Sequence, residues 1–454
     1  MKKKVAIICI TLLICLVGIS FAKVSQEEAA KLGNELTPVG GEKAGNADGT
    51  IPEWTGGITT PPAGYKVGDH HPDPFPDDKP LFTITAQNYE QYKDKLSDGL
   101  IAMFKTYPDT FKMIVYQTRR TGSYPQYVYD AIKTNAINAE LTDDGNGVVN
   151  ANIASAFPIP KNGIEAIWNH IIRYRAGTVA KYGAQAAPNR DGSYTIMEMK
   201  EEILMFYSMP EVSTQDKDDK NLYAYFKQEI LSPPRLAGTM LLIHETMNQI
   251  RKPRQAWTYN TGQKRVRRAP NIAYDTPGTA SDGLRTTDDW DLYNGSPDRY
   301  NWTLVGKKEM YIPYNSYKLH SDKLKYSDIL KAGHINQDLP RYELHRVWVV
   351  KGELKDGMRH LYKTRVFYLD EDSWQAALED CYDNRDQLWR VASAHILNYY
   401  EIPVVWSTLD VLYDLQAGRY LAVGLDNEGK MYDFNVKLSA EDFSPSALRQ
   451  SGVR

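Results

Sequence analysis

From Tyr194 onward, apolar and polar residues alternate with a period of two almost to the end of the chain. Successive side chains on a strand point to opposite faces, so this spacing specifies β-structure and excludes a helical bundle for the larger part of the protein. The runs are TIMEMKEEILMFYSM, YAYFKQEIL, GTMLLIHETMNQI, QAWTYN, KRVRRAP, YNWTLVGKKEMYIPYN, ELHRVWVVKGEL, HLYKTRVFYLD, QLWRVASAHILNYYEIPVVW and RYLAVGLDN, joined by short Gly/Asp/Asn turns. About ten such strands predict a large antiparallel sheet or open barrel. In RYNWTLVGKKEMYI the spacing puts Trp302, Leu304, Met310 and Ile312 on one face. In GTMLLIHETM both faces are apolar, Leu241 and Ile243 on one and Met240 and Leu242 on the other, so that strand should be covered on both sides.

Helical spacing is confined to the first part of the chain. Tyr89, Tyr92, Leu96, Leu100, Met103 and Phe104 recur at intervals of three and four and predict a helix over 88–105, with Asn88 as N-cap. Ile164, Ile167, Trp168, Ile171 and Ile172 predict another after Pro158-x-Pro160 and Gly163, and a short helix is expected over 27–36. The two longer helices are the natural plug or lid of the sheet, which makes the fold α+β: an incomplete β-barrel wrapped around helices. Residues 37–78, rich in Pro, Gly and Asp, read as an extended arm held by Trp54. Asp143-Asp144-Gly145 lacks the ligand count of a calcium loop and reads as a plain turn. The expected division is a signal peptide at 1–22, a Pro/Gly-rich arm at 23–80 and a single half-barrel domain at 81–454.

The leader reading rests on MKKKVAIICITLLICLVGISFA, with Lys2 to Lys4 before an apolar run and a Ser20-Phe21-Ala22 cleavage site. It predicts export to the periplasm after cleavage at Ala22. Cys15 follows Ile14 inside the apolar run, which does not suit a lipid-modified cysteine. Cys9 and Cys15 leave with the leader, so Cys381 remains alone and no internal disulfide is expected. The same cleavage removes three lysines, leaving 51 basic residues against 57 acids, a formal charge of −6. Tyr outnumbers Phe 31 to 11, which suits half-buried strands and polar-lined cavities.

No phosphate-loop, dinucleotide or serine-hydrolase motif is present, and His244-Glu245 lacks the second histidine of a zinc protease because Asn248 stands in its place. Asp380 and Asp383 beside Cys381 disfavour a thiolate. His170, His345 and His395 are isolated and read as structural. No catalytic residue, cofactor or metal is expected.

Charge is distributed unevenly around one hairpin. Residues 251–268 contain Arg251, Lys252, Arg254, Lys264, Arg265, Arg267 and Arg268 with no acid, whereas 269–298 contain Asp275, Asp282, Asp288, Asp289, Asp291 and Asp298 against Arg285 alone. One reading folds the two segments onto each other as a surface ion-pair network. Another aims part of the arginine set at an anionic head group at a cavity mouth. Nucleic acid is a poor fit for an exported, acidic chain.

The hairpin, with Trp257, Tyr259, Val266, Arg267 and Arg268 in place, resembles the LolA/LolB lipoprotein carriers of Gram-negative bacteria. LTPVGGEKAGNADGTIPEWTGG, DPFPDDKPLFTITAQNY, FPIPKNGIEAIWNHIIRYR, SPPRLAGTMLLIHETMNQIRKPRQAWTYN, RRAPNIAYDTPGT and DGLRTTDDWDLYNGSPDRYNWTLVGKKEMYIPYN together resemble an exported family of about this length, functionally uncharacterised and often labelled as lipoprotein-sorting. The resemblance implies a half-barrel with a hydrophobic cavity for acyl chains and work beside an exporter of the resistance-nodulation-division type. The carriers are shorter and lack the Pro/Gly arm. On this reading Met240, Leu242, Trp257, Tyr259, Trp348 and Val350 supply the cavity wall, and Arg265, Arg267 and Arg268 meet a head group. The ligand is a lipid or other hydrophobic molecule, and the partner is an inner-membrane exporter or an outer-membrane protein. The rival readings are a docking subunit that binds no ligand and an enzyme acting on an envelope lipid.

Overall fold

A computed structural model describes residues 24–270 and 272–453; the predicted leader at 1–22 lies outside the described residues. The strands are β1 (Phe82–Thr85), β2 (Lys112–Val115), β3 (Glu140–Thr142), β4 (Gly147–Val149), β5 (Thr178–Ala186), β6 (Met197–Leu204), β7 (Leu222–Ser232), β8 (Met240–Thr246) and β9 (Gln255–Asn260). They continue with β10 (Arg265–Arg268), β11 (Tyr300–Pro313), β12 (Tyr342–Leu354), β13 (Thr364–Asp370), β14 (Ala376–Tyr382), β15 (Leu388–Tyr399), β16 (Val404–Asp414) and β17 (Arg419–Leu425). All but β3 and β4 join one 15-stranded sheet in the order β1-β2-β12-β13-β14-β15-β16-β17-β5-β6-β7-β8-β9-β10, with β11 on the other edge of β12. Every pairing is antiparallel except a single parallel bridge from Tyr342 to Val115. Among the described residues β10 pairs only with β9 and β11 only with β12, so the barrel is not closed.

Directly paired residues of antiparallel strands share a face. The registers Ile203–Phe226, Phe226–Ile243 and Ile243–Ala256 run across β6 to β9, and Gln228–Leu241, Leu241–Thr258 and Thr258–Arg267 run beside them. The same face continues through Val350–Phe367 and Phe367–Glu379 at the far side of the sheet. We call it the inner face. It is filled by the helix Gly163–Ile172, which packs on β11 and β12, and by the segment 269–298. The predicted plug helix is therefore present, and every residue of it except Ile164 is buried.

Three local expectations changed. The helix expected over 88–105 is two pieces, a 3-10 turn at Tyr89–Lys95 and a helix at Asp98–Thr106. The break falls at Ser97, whose Oγ accepts from the Leu100 backbone N–H at 3.1 Å and donates to Asp380 at 3.1 Å, so a new helix starts there. This second piece lies over β14 and β15 on the outer face, on the side of Asp380 and Val391. The helix expected over 27–36 is only Gln26–Ala29; Gly33 then turns with φ 85° and Leu36 bridges to Glu42. In β11 a bulge between Leu304 and Gly306 inserts one residue, so Trp302 and Leu304 face inward while Met310 and Ile312 point the other way. An alternating pattern cannot reveal this, because one extra residue reverses every face beyond it.

The arm at 24–80 is fastened rather than loose. Trp54 Nε1 donates to the Gly122 carbonyl at 3.0 Å, and Arg120 reaches the carbonyls of Glu42, Lys43 and Pro52 while its fork holds Asp372. The turn at Asp143–Gly145 closes the small β3–β4 hairpin. No helix among the described residues is long and apolar enough to cross a membrane.

Candidate ligand-binding cavity

An internal cavity of about 80 Å³ lies between the inner face and the segment 272–290. Its sheet wall is Ile203, Phe226, Leu241 and Ile243, and its cover includes Ile272, Pro277 and Trp290. Trp290 meets Phe226 edge-on at 6.0 Å and Trp406 at 6.3 Å, which holds the indole as the roof of the cavity. Glu245 and Arg254 close one end, joined at 2.7 Å and both buried. A second, polar cavity of about 40 Å³, lined by Lys181, Glu201, Thr408 and Asp410, shares Trp290 and Arg285 with the first.

The cover is pinned by side chains that rise from the inner face of the sheet and by Arg173 and Arg175, which follow the plug helix. Arg173 donates to both Asp291 oxygens at 2.7 and 2.6 Å, and Arg175 binds the same carboxylate. Arg365 takes Asp288 at 3.1 Å and Asp289 at 2.8 Å. Gln185 donates to the carbonyls of Thr279 and Ala280, Arg390 to that of Gly283, and Arg419 pairs with Asp282. The two guanidinium groups beside Asp291 hold its carboxyl well below the usual carboxylate range despite full burial. Asp288, Asp289 and Asp291 thus bind buried arginines, Asp282 and Asp275 pair with Arg419 and Arg299, and none of them pairs with a described base of the hairpin, which corrects the surface ion-pair network as an account of these two segments.

Arg285 is the exception. It is 8% exposed, forms no ion pair with a described carboxylate, and its Nε has no hydrogen-bond partner. Burial pushes its pKa down, with Glu201, Asp289 and Asp410 opposing from a distance.

The residues singled out from the sequence fall into three places. Met240, Leu242, Trp257 and Tyr259 lie on the outer face, packed beneath Phe443 and Leu448 of the C-terminal segment, with the Tyr259 hydroxyl donating to the Gly452 carbonyl at 2.7 Å. Trp348 and Val350 are on the inner face but far from the cavity: Trp348 stacks on Trp374 at 5.9 Å, and Val350 is fully buried opposite Phe367. Arg265, Arg267 and Arg268 are exposed on the edge strand β10 and form no ion pair with a described acid. Register separates them: Arg267 pairs with Thr258 and Arg265 with Asn260 on the inner-face side, whereas Arg268 pairs with Trp257 on the outer. Leu241, Ile243, Phe226, Trp290 and Arg285 are the cavity residues the sequence reading did not select. Arg285 had a signal, being the lone base in an acidic stretch.

Other titratable clusters are buried away from the cavity. Asp380 is pushed up to about 7 by burial, and Glu379 to about 7 by burial against the pull of Arg365. His345, Asp370 and Asp372 bring donor atoms within 4.8 Å of one another, but Asp372 already takes the Arg120 fork and His345 Nε2 faces Glu343 at 3.0 Å. His170 is held between the carbonyls of Trp374 and Asp291, and the Cys381 thiol, 3.2 Å from Glu379, is raised well above its usual pKa.

Residues 83–449 match the family described as "Protein of unknown function (DUF1329)". The chain belongs to the DUF1329 family. An uncharacterized Pseudomonas aeruginosa protein, PA3922, is 55% identical to this DUF1329 chain over 434 residues, 95% of each. Among solved structures, a putative outer membrane lipoprotein-sorting protein domain from Vibrio parahaemolyticus is 16% identical, with a TM-score of 0.41 over 60% of this chain and 92% of that one. A DUF1329 protein from Desulfovibrio piger has the same identity and coverage at a TM-score of 0.39. The LolA superfamily protein NE2245 from Nitrosomonas europaea is 10% identical at 0.38, over 63% of this chain and 98% of that one.

Proposed function

We propose that this protein is a periplasmic, non-enzymatic binding protein that takes a lipid or other hydrophobic molecule onto the inner face of its open sheet. It passes that cargo between membranes or to an exporter. The observation that supports this reading is the apolar cavity between β6–β8 and the cover segment, roofed by Trp290. Each methylene removed from water contributes about 0.8 kcal/mol, so an acyl chain gains from such a surface. A cavity of about 80 Å³ holds only the end of a chain, and drug-sized ligands occupy about 300 Å³ or more. A longer cargo must therefore lift the tip of the cover, residues 279–283, which Gln185 and Arg390 hold by hydrogen bonds and Arg419 by one surface ion pair, while the buried pairs at Asp288, Asp289 and Asp291 keep its end anchored. Arg265 and Arg267 stand on the same side of the sheet, two strands beyond Leu241, where they would meet a head group as the cargo enters or leaves at the open edge.

The small volume and the free edge of β10 favour a second reading: a docking subunit that pairs its edge with a partner and carries nothing. Native mass spectrometry of the protein purified from a bacterial envelope, with solvent extraction of anything bound, separates the two. A stoichiometric hydrophobic molecule supports carriage. Protein that comes out bare and ignores added lipids leaves docking.

A further inference from the structure

We propose that Arg285 receives the anionic head of an amphiphile, a carboxylate or a phosphate, whose apolar part lies in the adjoining cavity. This rests on the carrier reading and names its ligand class. A buried guanidinium without a counter-charge is costly, and one facing an apolar space is suited to bring an anion into it. Arg285 lines the apolar cavity and the polar one alike. The free Nε lies on the edge that matters: a methyl group at Gly278 would sit 2.8 Å from Nε and 3.3 Å from Nη2. Glycine at 278 therefore keeps open the Nε–Nη2 fork, the pair of donors that binds two oxygens side by side. Gly278 lines the apolar cavity and not the polar one, so the fork opens on the apolar side.

The carboxylates that act on Arg285 from a distance have other partners or lie elsewhere. Glu201 takes Gln228 Nε2 at 2.9 Å and faces Lys181 at 4.0 Å, Asp289 holds Arg365 at 2.8 Å, and Asp410 lines only the polar cavity. Arg285 and Gly278 are the two sides of one hairpin, since the Gly278 N–H donates to the Arg285 carbonyl at 2.9 Å. The anion site is thus carried on the cover itself, and an anion bound there would hold the cover to its cargo.

The test compares octanoate, octyl phosphate and octanol by titration calorimetry against the full protein, its Arg285→Met variant and its Gly278→Ala variant. The wild type should prefer at least one anion to octanol by about tenfold or more. Arg285→Met should bring that ratio close to one with octanol binding kept, and Gly278→Ala, which crowds the fork without removing it, should lower the ratio as well. Preference for octanoate points to free fatty acids, and preference for octyl phosphate to phospholipid-type heads. Equal binding of all three by the wild type overturns the anion site while leaving the carrier reading intact. Binding of none overturns the carrier reading. If Arg285→Met does not fold, the wild-type ratio and the Gly278→Ala variant decide the matter.

Discussion

Replacing Asp291 with Asn tests how the cover is held. Asp291 is 4% exposed and sits at φ 56°, a conformation that Asn adopts readily, so the substitution removes charge while sparing shape and backbone. It leaves Arg173 and Arg175, each 1% exposed, without the carboxylate they share. Breaking one side of a buried ion pair costs about 3–5 kcal/mol, a large part of a total stability of about 5–15 kcal/mol. One compensation is available below about pH 6: there burial, with Asp291 adding to it, keeps the Asp410 carboxyl protonated by pushing it up to about 6, and loss of Asp291 favours its ionised form beside Arg173. The single variant should therefore fall at or below the lower end of that range, and Asp291→Asn with Asp410→Asn should lose more than the two single changes added. Urea unfolding followed by tryptophan fluorescence reads both, because Trp290 and Trp406 flank Arg175 at 5.5 and 5.9 Å. A loss under about 1 kcal/mol for the double variant, the range of exposed pairs, would refute the idea that this carboxylate anchors the cover.

The contribution of three buried carboxyls should make stability decline as pH rises from about 4 toward 7 and outweigh the opposite contribution of His170 and His395, which burial pushes down to about 3. Glu379 and Asp380 at about 7 and Asp410 at about 6 keep their protons in the folded state above the pH at which the unfolded chain releases them, and denaturation at pH 5 and pH 7.5 measures the sign. Gln185→Ala removes the donor to Thr279 and Ala280 and should speed uptake of a hydrophobic dye severalfold, with a melting temperature within a few degrees of wild type. Arg265→Ala with Arg267→Ala should weaken retention of an anionic lipid, whereas Arg268→Ala on the opposite face should not; all three should leave the circular dichroism spectrum unchanged. Leu448→Ala, at a fully buried position over Met240 and Leu242, should cost about 2–5 kcal/mol without opening the cavity, as thermal melts will show.

How the outer face came to be mistaken for the cavity wall follows from β8. Its sequence showed two apolar faces, and both are covered, but periodicity is symmetrical and cannot say which face is lined by a cavity and which by a helix. Leu241 and Ile243 look onto the cavity because the segment 272–290 folds over them, and Met240 and Leu242 are sealed because the last 15 or so residues return to that side. The β14 run AALEDCY escaped notice because Glu379 and Asp380 break its alternation, and both are tolerated only through Arg365, Ser97 and Tyr368, which arrive from elsewhere in the chain.

The sequence by itself determined the open antiparallel sheet and the plug helix at Gly163–Ile172. Each follows from side chains close together along the chain, where spacing is geometry. Tertiary structure alone decided which arginines meet which aspartates, and that Arg285 is left without an acidic partner among the described residues. Those outcomes depend on contacts across 76 to 118 residues for Asp288, Asp289 and Asp291, and a charge pattern records sign and order but not the distances that set the energy.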